Sequence, residues 1–488
     1  MALPQEILDT YEMTIGIESH VQLKTASKLF SPAENDARNK EPNTCVHPID
    51  YGLPGMLPLL NKEAVNLAIK AGKAMNAKIA NVSRFDRKHY FYPDLPNGYQ
   101  ITQMYHPTIL AGFVDAPLED GSSVHVRINH AHLEADAGKL THYGTYTLAD
   151  YNRTGTPLIE VVTEPDMHSA EEAKAFCQEL HKLMIYAGVT YGDLYQGNQR
   201  FDVNISVAKK GATELGKRAE VKNLNSFRSI ERAVLYEYNR QIELLEKGEL
   251  VVQETRGWND AKQITTSQRS KENAQDYRYM PDPDIPPVVL TDEYVAEVQA
   301  SVPILPPQYR EKFTGLNVDK SVINSLLSTK EYADTVLEVQ VKVGDEAARR
   351  VANWYASVVA PAEEETSETP ARELFGNVSE LIELNRMVDA NEVSGSTAKE
   401  LFARIVTRGS NYSVRQDATE SGLVQVSDEA EIAAIVDAVL ADPANATSIA
   451  DVKAGKDKAI GYLVGQVMKQ SRGKANPSLA QQLIRQRL

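Results

Sequence analysis

A glutamate and a histidine stand two positions apart near the start of the chain, in the stretch Gly16–His20. Alternate side chains of a β-strand point to the same face, so Glu18 and His20 would project together from an extended segment. A carboxylate beside an imidazole can hold a divalent cation or act as a base with its orienting partner. A pair that only stabilises the fold has the same spacing, so this segment alone leaves both interpretations open.

A second stretch, His130–Lys139, is richer in ionisable groups. His130, His132, Glu134 and Asp136 recur at every second position and would share one face of a strand. Four such groups do not form a hydrophobic core; they indicate either a strand edge in water or part of a metal or phosphate site. The residues lack the usual ligand spacing of zinc sites. Magnesium, which prefers oxygen ligands, fits the further acids of the chain better: Glu160, Glu164, Asp166, Asp202 and Glu220.

Three further segments combine charge with turn or strand residues. Ser83–Gln100 mixes cations, including Lys88, with aromatics, which is typical of a phosphate-facing or channel-lining loop and equally of a surface turn with cation–π pairs. Arg200, Asp202 and Asn204 alternate as on a strand. Glu220–Phe227 predicts a polar strand leading into a helix, whose N-terminus can meet an anion. Neither a GxxxxGK[ST] nor a GxGxxG motif occurs, so a P-loop or Rossmann nucleotide site is not supported.

The elements that must position these residues are mixed strands and helices over residues 12–290. Short apolar or alternating runs predict strands at Met13–Ile17, Val124–Ile128, Leu158–Val162 and Val203–Val207. Helical periodicity predicts helices at Lys62–Met75, Ser169–Ala187 and Ser226–Lys247. Because no regular βαβ rhythm appears, we expect an α+β fold with a largely antiparallel sheet.

The composition and the periodicity of the sequence change after residue 290. Seven prolines between Pro281 and Pro307 predict a rigid connector. Beyond it the patterns are helical, and the acidic stretch Pro361–Pro370 predicts an exposed loop. Predicted helices here include Lys320–Ser328, Glu331–Val343, Ala347–Ala360, Thr397–Val406, Asp428–Ala441 and Asp457–Ser471.

Composition narrows the class of protein. The 488 residues are 42% hydrophobic, and no apolar run reaches the about 18 residues of a spanning helix, so no membrane partner is expected. The first residues show neither the basic nor the apolar region of a secretory signal. Two cysteines, Cys45 and Cys177, cannot build a disulfide framework. We therefore expect a protein of the reducing cytoplasm.

The charge is unevenly distributed. The whole chain carries −15, yet residues 451–488 hold eight Lys or Arg against two Asp, which is +6 and leaves −21 for the rest. A basic tail on an acidic body predicts that contact with a polyanion is concentrated at the C-terminus. A merely solvated helical face explains the same charges.

Taken together, these segments resemble the B subunit family of the bacterial glutamyl/aspartyl-tRNA amidotransferase, a three-subunit enzyme. The resemblance spans nearly the whole chain, and its matching stretches are long and irregular: Ile15–Thr25, Glu41–Thr44, Gly52–Pro54, Ser83–Gln100, His132–Lys139, Asn152–Asp166, Glu220–Phe227, Gln253–Trp258, Asp276–Pro287, Gly422–Glu429 and Gly461–Pro477.

The resemblance implies three domains. Residues 1–295 would form a catalytic cradle, a mostly antiparallel α+β fold related to glutamine synthetase and guanidino kinases. Residues 296–410 would form an all-helical domain. Residues 411–488 would form a YqeY-like helical tail that contacts tRNA, in agreement with its basic charge.

It also implies an activity and partners. The family uses ATP and Mg²⁺ to phosphorylate the side-chain carboxylate of misacylated Glu-tRNA(Gln), Asp-tRNA(Asn) or both, and then amidates it. Ammonia comes from an amidase A subunit, and a small C subunit completes the heterotrimer. Two alternatives stay open: a tRNA-binding assembly subunit with a degenerate kinase site, and a stand-alone ligase acting on a free small acid. The basic tail argues against the second, because a small substrate does not require it.

Residue by residue, the resemblance implies a metal-binding pair at Glu18 and His20, with Glu134 and Glu220 as further acids of the phosphoryl-transfer site. Lys88 matches a lysine of the ammonia route. We add Asp136 to the expected metal ligands. The alternating polar residues are expected to line the cofactor site: Arg200, Asp202 and Asn204.

Three departures from the family pattern matter. Ala135 stands where the family has the middle residue of Glu-Glu-Asp. The segment Leu194–Asn198 lacks two acids that the family has beside Arg200. The cysteine cluster that binds zinc in many members is absent near residues 31–50, where Cys45 is out of register, so structural zinc is not expected.

Overall fold

The computed structural model describes residues 4–270, 276–358, 377–408, 412–424, 429–454, 458–471 and 475–488. Contacts divide the chain into two compact units, Met1–Gln308 and Tyr309–Leu488. The helix Asp292–Ala300 spans the predicted domain boundary at residue 295, and its Tyr294 donates a 2.6 Å hydrogen bond to Asn66 of the helix Lys62–Ala74. The loop predicted at Pro361–Pro370 lies outside the described residues.

The described strands all belong to the first unit. In chain order they are β1 Tyr11–Gln22, β2 Val82–Ser83, β3 Asp86–His89, β4 Tyr99–Thr102, β5 Gly112–Pro117, β6 Ser123–Ala135, β7 Lys139–Tyr143, β8 Tyr146–Asp150, β9 Pro157–Thr163, β10 Gln199–Lys209, β11 Ala219–Leu224, β12 Glu254–Asn259, β13 Ile264–Ser270, β14 Met280–Pro281 and β15 Val288–Val289.

The described helices follow the same order. They are α1 Gln5–Leu8, α2 Lys62–Ala74, α3 Ala170–Tyr186, α4 Phe227–Glu246, α5 Asp292–Ala300, α6 Pro306–Phe313, α7 Lys320–Leu326, α8 Lys330–Val343, α9 Asp345–Val358, α10 Val378–Asp389, α11 Gly395–Arg408, α12 Val414–Glu420, α13 Glu429–Ala441, α14 Ala446–Lys453, α15 Lys458–Gln470 and α16 Pro477–Arg487, with short 3₁₀ turns at Thr314–Leu316 and Pro443–Asn445.

One eight-stranded sheet organises the first unit, in the order β13-β12-β11-β10-β1-β9-β6-β5. Each neighbouring pair is antiparallel except β11 with β12, which is parallel. The predicted α+β class and antiparallel-rich sheet are confirmed, as are the strands predicted at the four apolar runs.

The sheet has one apolar and one polar face because β1 alternates along its length. Ile15, Ile17 and Val21 are almost fully buried on one side. Helices α3 and α4 cover that side, as their buried residues include Leu180 and Ile230. Both helices begin where the sequence predicted, at serines whose side chains accept a backbone N–H. The opposite face is left to polar side chains.

The proline-rich stretch is not a connector, contrary to the sequence-based expectation. Pro281 pairs with Asp86 in β14–β3, and Val288 pairs with Ser83 in β15–β2. Ile285 belongs to the buried core. Proline is tolerated in such short edge strands because it only removes a donor that an edge does not need. The stretch is therefore an integral part of the first unit.

The second unit is helical in its described residues, as predicted. Its last four helices, α13–α16, enclose a hydrophobic cluster of their own, formed by residues such as Ile432, Leu463, Val467 and Leu483. No single described helix is long and apolar enough to cross a membrane. One bent pair, Ile432–Ala441 with Pro443–Lys453, passes the length and composition test only when both are combined across a 75° bend.

Candidate active site

The register of the sheet gathers the predicted site residues on its polar face. β1 lies between β10 and β9, so Glu18 stands opposite Asp202, and His20 lies between Arg200 and Glu160. In the next pairs outward, His132 stands opposite Glu160 and Asn204 stands opposite Glu220. The pairing of five strands thus brings together residues that are far apart in the sequence.

Two clusters of possible metal ligands result. The first acid group consists of His20, Glu134 and Glu160. His20 Nε2 lies 3.5 Å from Glu134 Oε1 and 3.4 Å from Glu160 Oε2. His132 Nε2 adjoins the group, at 3.6 Å from Glu160 Oε2. Glu160 therefore bridges two imidazoles.

Burial and mutual charge set the protonation of this first acid group. Burial disfavours the imidazolium of His20, but Glu160 and Glu134 raise its pKa to about 9. Burial lowers the pKa of His132 to about 4, so this ring is neutral at pH 7. Burial and the charge of Glu160 raise the pKa of Glu134 to about 7. Glu160 is itself buried, yet its hydrogen bond with His20 lowers its pKa below the usual range.

The second acid group consists of Glu18, Asp202 and Glu220. Lys222 Nζ lies 2.8 Å from Asp202 Oδ2 and 3.1 Å from Glu220 Oε1. The two carboxylates raise the pKa of Lys222 despite its burial, whereas burial and the charges of Glu160 and Glu220 raise the pKa of Glu18. Asn204 Nδ2 donates to Glu18 Oε1 at 3.0 Å.

A cavity of about 340 Å³ opens over these groups. Its lining includes His20 and Glu134 from the first acid group and Asp202 from the second, together with Arg200 and Lys222. A second cavity of about 230 Å³ lies at the other end of β1 and is lined by Thr14, Glu18, Asn204 and Ser206, among others. Glu18, a member of the second acid group, and its hydrogen-bond partner Asn204 therefore also line this second cavity.

Lys88 lies close to the first acid group, on β3. Burial disfavours its ammonium, but the charge of Glu134 raises its pKa, so the side chain is a cation. Its Nζ also stands 5.1 Å from the ring centroid of Tyr277. Lys88, which the sequence predicted as a site residue, therefore interacts with the charge of Glu134 without a direct ion pair among the described residues.

The structure does not bring Asp136 into either acid group. Asp136 Oδ2 lies 3.2 Å from Arg153 Nε and 3.4 Å from Arg200 Nη2. A carboxylate between two guanidinium groups has cationic partners of its own already. Arg200 therefore lies beside Asp136, whereas Asp202 and Asn204, which the sequence predicted together with it, lie at the second acid group.

The acids that the family has at positions 135, 195 and 196, and that this chain lacks, would not belong to either acid group. Strand alternation turns Ala135 away from Glu134, and Ala135 lines a small cavity of about 50 Å³ with Tyr99 and Ile101. Tyr195 is 79% exposed in the turn that precedes β10. Acids at these positions would face away from the first acid group or into solvent.

The sequence alone missed several residues of the site. Glu160 was recognised only as one of several nearby acids, although its place in an alternating strand could have identified it. Lys222 and Arg153 carried no such signal. Two other acids of that set lie at the surface instead: Glu164 accepts from Asn129, and Asp166 pairs with Arg127.

Comparison with known proteins shows which family the chain resembles over nearly its whole length. The family described as the GatB/GatE catalytic domain matches residues 13–296, and the family described as the GatB domain matches residues 335–488. The B subunit of the aspartyl/glutamyl-tRNA(Asn/Gln) amidotransferase of Caldanaerobacter subterraneus is 43% identical over 484 residues, which cover 98% of this chain and 99% of that protein. The proteins of the same name from Carboxydothermus hydrogenoformans and Coxiella burnetii are 41% and 42% identical, over 98% of this chain and 99% and 100% of theirs.

Proposed function

The chain belongs to the family of aspartyl/glutamyl-tRNA(Asn/Gln) amidotransferase B subunits, and on this premise we propose that it is the catalytic subunit of such an enzyme. Its reaction is the ATP-dependent conversion of Glu-tRNA(Gln), Asp-tRNA(Asn) or both into the amide. The observation that carries this proposal is the pair of acid groups on one side of the sheet, which both contribute to the lining of one cavity, the first through His20 and Glu134 and the second through Asp202.

The residues of the second acid group fit magnesium. The amide oxygen of Asn204 is buried and has no hydrogen-bond partner among the described residues, while its nitrogen holds Glu18. Carboxylate and amide oxygens are the ligands that Mg²⁺ prefers. Glu18, Asp202 and Glu220 would hold one ion, in competition with the ammonium of Lys222, and His20, Glu134 and Glu160 would hold another. Magnesium supplies charge neutralisation for phosphate groups during phosphoryl transfer.

The chemistry explains why the site combines acids with cations. A carboxylate is a poor electrophile at neutral pH. Transfer of the γ-phosphoryl group of ATP forms an O–P bond on this carboxylate and breaks the bond to ADP, giving an acyl phosphate. Ammonia then attacks the acyl carbon, and phosphate leaves. Arg200 and Lys222 line the cavity and offset the negative charge that gathers there.

The partners follow from the same family membership. The relatives are named as one lettered component of an amidotransferase, which places them in a multi-subunit enzyme. An amidase A subunit would release ammonia, which has to reach the cavity unprotonated past Lys88, and a small C subunit would complete the heterotrimer. The misacylated tRNA would be held by the basic YqeY-like tail, residues 411–488, beyond a helical domain of residues 296–410. We place the reaction in the cytoplasm, because Cys45 and Cys177 are both buried and unpaired.

The catalytic interpretation is better supported than a tRNA-binding subunit with a degenerate kinase site. That alternative rested on Ala135 and on the acids absent at positions 195 and 196. Ala135 faces away from the first acid group, which contains Glu160 instead. The proposed cradle would share its antiparallel sheet with glutamine synthetase and guanidino kinases, which also transfer phosphoryl groups.

An amide-formation assay tests the proposal. The complex of this chain with its A and C subunits is given ATP, Mg²⁺ and ammonium chloride with Glu-tRNA(Gln) or Asp-tRNA(Asn). We expect Gln-tRNA or Asn-tRNA together with ADP, and loss of both products in Glu134→Ala. If the intact complex binds tRNA but forms neither ADP nor amide, the chain is not a catalytic subunit.

A further inference from the structure

A buried carboxylate fixes two arginines at one end of the large cavity. Asp136 follows the end of β6 and is held through its backbone, since Asp136 N donates to Thr156 O and Gly155 N donates to Asp136 O, both at 2.9 Å. Asp136 Oδ1 accepts from Ala137 N at 2.9 Å. Its Oδ2 therefore has a defined position, from which it meets Arg153 and Arg200.

The two arginines are anchored to different degrees. Arg153 Nε and Nη2 donate to the carbonyl oxygens of Ala137 and Gly138, at 2.9 and 3.1 Å. For Arg200, Asp136 is the polar partner that the described structure shows, at 3.4 Å. The side chains of Arg153 and Arg200 are 43% and 41% exposed, and both line the cavity. Arg200 thus presents most of its hydrogen-bond donors to a ligand that enters the cavity.

The charge of this cluster calls for an anion. Two guanidinium groups share the carboxylate of Asp136, and Arg153 also interacts with the charge of Asp94, so Arg200 is the cation whose donors are left for an anion. Arginine offers its N–H donors in a planar fork that matches the two oxygens of a carboxylate. A fork that is already oriented loses little conformational entropy on binding.

The position of the cluster indicates which anion of the reaction it meets. Along β10, Arg200 stands opposite His20, Asp202 opposite Glu18 and Asn204 opposite Gly16. The strand therefore runs from the arginines, past both acid groups, to the cavity of about 230 Å³. In phosphoryl transfer the acceptor and the leaving group lie roughly in line on opposite sides of the transferred group. If the acid groups hold magnesium and the phosphates, the arginines would stand at one end of that line, on the side of the larger cavity.

We propose that Arg153 and Arg200, positioned by Asp136, bind the side-chain carboxylate of the aminoacyl substrate and hold it for phosphorylation. This inference rests on the proposed function and assigns its acceptor subsite. Asp136 acts as a positioning residue rather than as a metal ligand. Arg200, expected from the sequence to line the cofactor site, is assigned to the acceptor instead.

A binding comparison tests the role of Arg200 apart from activity. Glu-tRNA(Gln) and Gln-tRNA(Gln) differ only by a carboxylate and a neutral amide, so the ratio of their affinities for the whole complex reports contact with the carboxylate. We expect the wild-type complex to prefer Glu-tRNA(Gln), and Arg200→Gln to lose this preference. A charge-assisted hydrogen bond corresponds to a roughly ten- to hundredfold loss of kcat/KM for the aminoacyl-tRNA, with the KM for ATP unchanged. If the wild-type complex amidates only Asp-tRNA(Asn), the comparison uses that substrate and its product.

Matched variants separate this role from a general loss of structure. Arg127 makes a similar arginine–aspartate pair with Asp166, outside the cavity. Arg127→Gln should leave both the affinity ratio and kcat/KM unchanged. Asp136→Asn should lower kcat/KM less than Arg200→Gln, and the loss in the double variant should be smaller than the two single losses combined, because part of the effect of Asp136 passes through Arg200.

Three results would overturn the inference. One is a preference for the charged aminoacyl group that persists in Arg200→Gln or is absent from the wild-type complex. Another is a raised KM for ATP with the aminoacyl preference intact, which would place phosphate at the arginines. The third is additive loss in the double variant. By contrast, a wild-type complex that makes no amide at all would contradict the proposed function itself.

Discussion

At the residue scale, Glu160 is the group that joins the histidines of the polar face. It contacts both His20 and His132, and its low pKa keeps it ionised at neutral pH. Such a carboxylate can serve as a ligand itself and also orient the neighbouring imidazoles. Glu160 thus complements Glu134, the other carboxylate that contacts His20.

We expect Glu160→Gln to weaken Mn²⁺ binding to the complex by at least roughly tenfold, because the first acid group loses a charged ligand or an orienting partner. Titration followed by the electron paramagnetic resonance of free Mn²⁺ measures this change, and amide formation should fall with it. Glu164→Gln is the control, since Glu164 lies four residues further on and accepts from Asn129 at the surface. Equal Mn²⁺ affinity in the two variants would exclude Glu160 from the metal site.

At the element scale, a buried cluster of charges ties α4 to β12 and β13. Glu237 is fully buried and accepts from Arg240 on the same helix, at 2.8 and 3.0 Å. It also meets Arg256 Nε at 3.0 Å and the hydroxyl of Thr265. The helix that begins beside the cavity is thereby fixed to the edge of the sheet.

We expect Glu237→Gln to lower the free energy of unfolding by about 3 kcal/mol at pH 7, since the guanidinium groups lose their buried counter-charge. Burial alone would raise the pKa of Glu237, but the hydrogen bonds and charge of Arg240 bring it below its usual 4.5. A carboxylate with a lowered pKa contributes stability above its unfolded-state pKa, and this contribution is lost as the pH falls through the folded-state value.

The difference between wild type and Glu237→Gln should therefore shrink as the pH is lowered from 7 to below 4, which urea unfolding at several pH values can measure. Glu338→Gln, in the exposed pair with Lys342, should change stability by less than about 1 kcal/mol at any pH. A difference between wild type and Glu237→Gln that stays constant with pH would contradict the assigned role of the ionised Glu237.

At the scale of the whole molecule, the chemistry and the basic charge belong to different units. The acid groups and both cavities lie within the first unit, whereas the excess of Lys and Arg lies in residues 451–488. Helices α13–α16 have a hydrophobic cluster of their own, so residues 429–488 can be removed without opening the core of the first unit.

We expect a complex in which this chain lacks residues 429–488 to bind aminoacyl-tRNA more weakly and with a smaller dependence on salt, because fewer phosphate contacts release fewer counterions. Binding measured at several salt concentrations gives that slope for the truncated and the intact complex. Mn²⁺ affinity should stay unchanged. An unaltered salt slope would show that tRNA is held elsewhere.

Local periodicity determined much of this protein. The period of two in β1, β6 and β10 was sufficient to place Glu18 with His20, His132 with Glu134, and Asp202 with Asn204 on one face of each strand, because strand geometry alone decides which side chains of a strand share a face. The same reasoning correctly predicted the helices that cover the other face, since their apolar residues recur with helical spacing.

Only the tertiary structure decided which strands are neighbours. His20 and Glu160 meet because β9 pairs with β1, although the two residues are far apart in sequence. The same pairing of distant strands sets Lys222 against Asp202 and Arg200 near Asp136. Strand order follows from burying the whole apolar face at once, which no local spacing encodes. The sequence therefore determined which residues could do chemistry, and the fold decided which of them do it together.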